Sequence, residues 1–210
     1  MTKLHSALAH HFETLPQQRE ANVLGMWAFL ATEVLFFGGL FVVYMVYRSV
    51  YPATFDEASH HLDPIRGAIN TFVLLTSSLT VALSVRAAEA RNRRGTVLMM
   101  VLTMLLGLAF LGIKANEYYI EYVENLIPSL NFVWEGPDAR PAELFFTIYF
   151  IMTGLHALHM IIGIAVLVGM IYFAWRGYYD VDPMPVERFG LYWHFVDVVW
   201  IFLFPLLYLI

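Results

Sequence analysis

Five stretches of the chain are apolar for long enough to cross a bilayer, and polar segments separate them. A helix rises about 1.5 Å per residue, so about 20 apolar residues cover the roughly 30 Å hydrocarbon core. The predicted spans lie at about 23–48, 68–89, 95–119, 143–175 and 190–210. Together they make residues 23–210 a single transmembrane domain, an all-α bundle of five helices, behind a polar arm at 1–22. That arm lacks the apolar core of a signal peptide. The second span is the least apolar, because Asn70, Thr71, Thr76, Ser77, Ser78, Thr80 and Ser84 interrupt it. Small hydroxyl residues permit close helix contact and interhelical hydrogen bonds in lipid, which predicts an interior, packed helix. Between Leu144 and Trp175 there is no Asp, Glu, Lys or Arg. This is more than one crossing requires, so the fourth helix should tilt or protrude. Prolines mark the longer polar segments, at 48–67, 119–142 and 176–190.

Composition agrees with a membrane protein: 60% of residues are hydrophobic and 14% are charged. With a net charge of −5, nothing suggests a nucleic-acid partner, for which a basic face would be expected. The absence of cysteine removes thiolate ligands and iron–sulfur chemistry, and leaves histidine and carboxylate as the strong metal-binding groups. The basic residues are unequally shared between the two sides. Lys3, Arg19, Arg86, Arg91, Arg93, Arg94, Arg176 and Arg188 fall on one, and Arg48, Arg66 and Arg140 on the other. The positive-inside rule then predicts a cytoplasmic N-terminus and an outer, periplasmic C-terminus.

Ionisable groups at membrane depth are costly enough to suggest function. Glu33 is predicted roughly 12–15 Å from the cytoplasmic start of its span, and His156 and His159 roughly 20–24 Å from the outer start of theirs. His194 and Asp197 lie in the first turns of the last span, three residues apart and therefore on one face. All five are expected in one slab of the membrane, facing into the bundle. They are candidates for a structural hydrogen-bond network, for proton handling at Glu33, for metal or haem ligation by the histidines, or for lipid and subunit contacts. No Glu-x-x-His pair of the di-iron bundle type occurs. Lys114 and Glu117 are expected to pair at i,i+3 near the outer interface, the lysine snorkelling outward. Trp27, Trp175, Trp193, Tyr47, Tyr118 and Tyr119 read as an interfacial aromatic belt. The adjacent pairs His10–His11 and His60–His61 lie in polar segments and are expected to be solvated rather than to bind metal.

Three motifs carry a family resemblance. The last span reads YWHFVDVVWIFLF over 192–204, the fourth contains TGLHALHMIIG over 153–163, and the first contains ATEVLFFGGLF over 31–41. In that order they resemble subunit III of haem–copper oxidases, the cytochrome c oxidase subunit III family, in its five-helix bacterial form. Glu33 matches the family's membrane-embedded glutamate. Many members have seven helices, and this chain begins near what would be their third.

The resemblance implies a multi-pass accessory subunit of the bacterial inner membrane, without haem or copper of its own. It would pack beside the catalytic subunit I and other oxidase subunits that carry these cofactors, in contact with phospholipids and within a larger supercomplex. Its implied role is to support proton uptake and stability of the catalytic subunit during oxygen reduction, and Glu33 is expected to pair with a histidine of the fourth helix. The electron donor stays open between cytochrome c and quinol, with a component of a nitric oxide reductase as a related alternative. From a different class, His159 and His194 suggest an independent bis-histidine haem protein. A transporter would be expected to show an internal repeat, and none is evident.

Overall fold

A computed structural model describes residues 14–134, 138–180 and 182–209. Lys3 and the His10–His11 pair lie outside them. The helices are α1 (Leu15–Val50), α2 (Pro52–Ser59), α3 (Pro64–Glu89), α4 (Arg93–Val123), α5 (Ala139–Trp175) and α6 (Met184–Tyr208), with one 3-10 turn at Tyr178–Asp180. No strand occurs among the described residues. All but α2 are long and apolar enough to cross a membrane. Each of these five runs beyond its apolar stretch, because helix ends are set by caps and prolines, which hydropathy does not register.

The chain forms two compact units, one ending at Gly38 and the other beginning at Gly39. In the first, residues from Leu15 onward are helical, and Glu33 is half-buried. The second unit packs α3 against α4 and α6, and α5 against α4, α6 and α2. The closing segment of α1 joins it through Tyr44, whose ring lies 5.7 Å from Phe55 and whose hydroxyl donates to the Leu206 carbonyl near the end of α6. That carbonyl is among the last four of its helix, which have no intrahelical donor.

The second unit is held together by buried stripes of unusually regular spacing. On α3 the buried positions include Gly67, Asn70, Leu74, Ser77, Val81, Ser84 and Ala88. On α4 they are Thr96, Met100, Thr103, Gly107, Phe110, Lys114, Glu117 and Glu121. Steps of three and four alternate, giving a repeat of about 3.5 residues, which keeps neighbouring helices in contact along left-handed crossings near 20°. The hydroxyl residues of α3 do bond to other helices: Thr80 to Thr103 of α4 at 2.8 Å, and Ser78 to His194 of α6 at 2.6 Å. Outward positions are apolar. Ile65 is 70% exposed and Phe72 is 72% exposed, as suits a surface that meets lipid.

The polar segment expected at 48–67 contains a helix. Pro52 occupies the first turn of α2, where its missing N–H costs nothing. Phe55 is fully buried, 5.3 Å from the Phe145 ring, and so pins α2 onto α5. After it, Asp63 caps α3 by accepting from the N–H groups of Ile65 at 2.9 Å and Arg66 at 3.3 Å, and it pairs with the Arg66 side chain at 3.1 Å. Asp63→Ala is expected to cost about 1 kcal/mol, seen as faster amide exchange confined to the first turn of α3.

The turn between α3 and α4 is a Schellman stop. Asn92 donates its N–H to the Ala87 carbonyl and Arg91 to that of Ala88, with Arg91 at φ 54°. The Asn92 side chain then caps α4 by accepting from Gly95 N–H at 3.1 Å. At the far end of α4 the same device recurs with Asn125 at φ 59°.

Candidate functional site: a polar core inside the bundle

Trp193 and Trp200 of α6 are seven residues apart and share a face, and both are fully buried. The Trp193 N–H donates to Ser77 Oγ at 2.8 Å, and the Trp200 N–H to Thr71 Oγ1 at 3.0 Å. Two glycines make room for Trp193. A Cβ at Gly107 of α4 would stand 3.0 Å from the indole, and one at Gly163 of α5 also 3.0 Å. The indole thus fills a slot between three helices. It is not part of an interfacial belt, because the apolar ring has a buried slot and its one polar atom has a buried partner.

Around this slot lie the histidines and the aspartate anticipated from the sequence. His194 is half-buried, with Nδ1 on Ser78. Asp197 is 3% exposed, near Ser78, and neither carboxyl oxygen has a hydrogen-bond partner of good geometry. His156 is 1% exposed. Its ring lies between Phe110 and Trp200, with centroids 5.3 Å from each, and neither nitrogen is hydrogen-bonded. His159 Nδ1 bonds to its own helix at the Leu155 carbonyl, 2.8 Å away, while the Tyr192 hydroxyl donates to the His159 carbonyl at 2.8 Å. The last helix therefore does turn Asp197 inward, but no hydrogen bond joins His156 or Asp197 to His194. Glu33 belongs to the other unit. His60 and His61 are exposed. The first bonds the Asp56 carbonyl at 2.7 Å and the second faces the Trp134 ring at 5.2 Å.

The most extensive polar cluster is one that hydropathy did not single out. Lys114 does not snorkel; it is 2% exposed and its ammonium points into the bundle. All three of its donors are used: on Glu117 Oε2 at 3.0 Å, on the Tyr149 hydroxyl at 2.8 Å and on the Tyr208 hydroxyl at 2.5 Å. Each tyrosine passes its own proton on, Tyr208 to Glu117 Oε1 at 2.6 Å and Tyr149 to Glu121 Oε1 at 2.6 Å. Glu117 and Glu121 are each 3% exposed, and Glu121 Oε2 has no partner. Beside this ring, the Tyr118 hydroxyl shares a 2.6 Å bond with Thr153. One cation and two carboxyls from α4 are thus tied to α5 and α6 by two phenols. A pattern does betray them: Lys114, Glu117 and Glu121 continue the 3.5-residue stripe begun at Thr96.

Chemically, this interior can hold charge and protons in fixed positions, and it can lock helices together. Among the described residues no group of three or more His, Asp or Glu is arranged to hold a metal ion. A haem between His159 and His194 does not fit, because α5 and α6 are in direct contact there. A Cβ at Gly163 would meet Tyr192 at 3.2 Å and Trp193 at 3.0 Å. What the fold and its interior define is a multi-pass membrane protein whose core is a packed polar network.

The family model for cytochrome c oxidase subunit III matches residues 8–210. The chain belongs to the cytochrome c oxidase subunit III family. It is 32% identical to quinol oxidase subunit 3 of Bacillus subtilis (strain 168), over 90% of this chain and 86% of that one. It is 33% identical to cytochrome c oxidase subunit 3 of Thermostichus vulcanus, over 90% and 87%. It is 28% identical to cytochrome bo(3) ubiquinol oxidase subunit 3 of Buchnera aphidicola subsp. Schizaphis graminum, over 91% of this chain and 95% of that one.

Proposed function

We propose that this chain is the accessory subunit III of a respiratory haem–copper terminal oxidase in a bacterial inner membrane. It packs on the catalytic subunit, which with other partner subunits carries the haem and copper, and it contributes no redox centre. The observation that carries this reading is the family match across residues 8–210. In this reading the polar arm at 1–22 is cytoplasmic, the single transmembrane domain follows, phospholipids coat the apolar surface, and the whole complex can join a larger respiratory assembly. Glu33 serves proton uptake into the catalytic subunit as a carboxyl at membrane depth. His156, His159, His194 and Asp197 form polar surroundings in which α5 and α6 are held.

The test is purification in mild detergent from the native membrane, with mass spectrometry and a visible spectrum. Oxidase subunits and their haem bands should copurify with this chain, and dissociating it should leave the haem with the partners. A Soret band retained by the isolated chain would defeat the proposal. Oxidation of reduced cytochrome c or of quinol by the same preparation identifies the donor. Glu33→Gln should preserve assembly, because it keeps shape and hydrogen bonding, while slowing oxygen consumption during sustained turnover. Complete loss of the complex in that variant would assign Glu33 a structural role instead.

A further inference from the structure

At the end of the bundle where α4 begins and α5 finishes, a groove of about 460 Å³ is lined by Arg93, Arg94, Val97, Leu98, Val101 and Trp175. Its shape follows from helical spacing. Positions 93/94, 97/98 and 101 stand one above another on α4, so two guanidiniums crown an apolar strip that runs down the helix toward the membrane interior. Trp175, the last residue of α5, forms the other wall near the crown. Leu98 is 54% exposed and Trp175 is 64% exposed. Neither arginine forms an ion pair among the described residues, and Glu89, the last residue of α3 across the turn from Arg93, is exposed and likewise not ion-paired.

Two unneutralised guanidiniums above an open apolar channel complement one kind of occupant, an amphiphile with an anionic head. We propose that this groove is a binding site for an anionic phospholipid. Its phosphodiester sits on Arg93 and Arg94, whose planar forks match phosphate oxygens, and one acyl chain lies along Val97, Leu98 and Val101. Trp175 sits at headgroup depth, where its amphipathic ring is favoured. A free phosphate would satisfy the crown but leave the channel bare. A neutral lipid would fill the channel but leave both charges without a partner. The proposal rests on membrane embedding and not on the oxidase assignment, so the two can fail separately.

The test uses the full chain, in its native complex, delipidated in detergent and titrated with dioleoyl phosphatidylglycerol or dioleoyl phosphatidylcholine. Bound lipid is counted by native mass spectrometry. The wild type should retain phosphatidylglycerol in preference to phosphatidylcholine. The Arg93→Gln/Arg94→Gln variant should lose that retention by roughly ten- to thirtyfold, given two basic side chains near the surface. Arg93→Lys/Arg94→Lys keeps the charge and should retain the lipid within a few-fold. Because both arginines are exposed, neither variant should disturb the bundle, and a photoreactive residue at Leu98 gives an independent reading in the otherwise unaltered chain: it should cross-link to the phosphatidylglycerol acyl chain. Equal retention of the two lipids, undiminished retention in the glutamine variant, displacement by excess inorganic phosphate, or cross-linking at Leu98 to a polypeptide instead would each overturn the proposal.

Discussion

Lys114→Met is expected to destabilise the subunit by roughly 3–5 kcal/mol, the cost of removing one partner from a buried ion pair. The reason is local. Methionine fills much of the lysine's volume, so packing is largely kept, but Glu117, Tyr149 and Tyr208 each lose the donor that faces them. Two carboxyls, each 3% exposed, would then remain close together with no cation between them. Side chains this buried have little water within reach to replace the lost donor. The expected result is loss of folded subunit from the membrane, or a lowered unfolding temperature in detergent. Adding Glu117→Gln and Glu121→Gln to Lys114→Met should recover a large part of the loss, because the charges are then removed together and a fully neutral interior is often as stable as a paired one. If Lys114→Met by itself leaves the unfolding temperature unchanged, the cluster does not hold α4, α5 and α6 together.

That cluster also marks how far the sequence can be read. Five membrane-crossing helices follow from long apolar runs, and the packed character of α3 follows from its hydroxyls, four of which reach other helices. Those are local signals. Lys114 and Glu117 were legible as an i,i+3 pair, and the pair forms. Their burial was not legible, because it depends on Tyr149 and Tyr208, which lie 35 and 94 residues from the lysine. Near a span end, a lysine with a four-carbon stem is equally compatible with snorkelling and with an inward turn. Only the alternation of three and four from Thr96 to Glu121 separates the two. The same ambiguity affects tryptophan: Trp175 and Trp193 both sit near predicted span ends, yet one is 64% exposed and the other fully buried. Hydropathy cannot tell them apart. Two glycines on other helices can, since each removes a side chain from the place where an indole must go.

Trp193→Ala should accordingly be the second severe change, at about 2–4 kcal/mol. Trp→Ala costs roughly 3–5 kcal/mol in a water-soluble core, and in lipid the transfer part of that cost largely drops out while the lost packing stays. Trp193→Phe keeps a ring in the slot and forfeits the N–H bond to Ser77, which should cost about 1 kcal/mol. The glycines supply the reciprocal experiment. Gly163→Val places carbon where the indole stands 3.0 Å away and Tyr192 3.2 Å away, and such overpacking should cost about 1–3 kcal/mol. If the slot is real, the two lesions cannot be independent: valine at 163 has less to collide with once residue 193 is small. Gly163→Val combined with Trp193→Ala should therefore lower the unfolding temperature by less than the sum of the single changes, whereas residues that do not touch would add. Strict additivity would mean that Trp193 does not occupy the space between α4 and α5, and that the inward face of α6 is held by its other contacts.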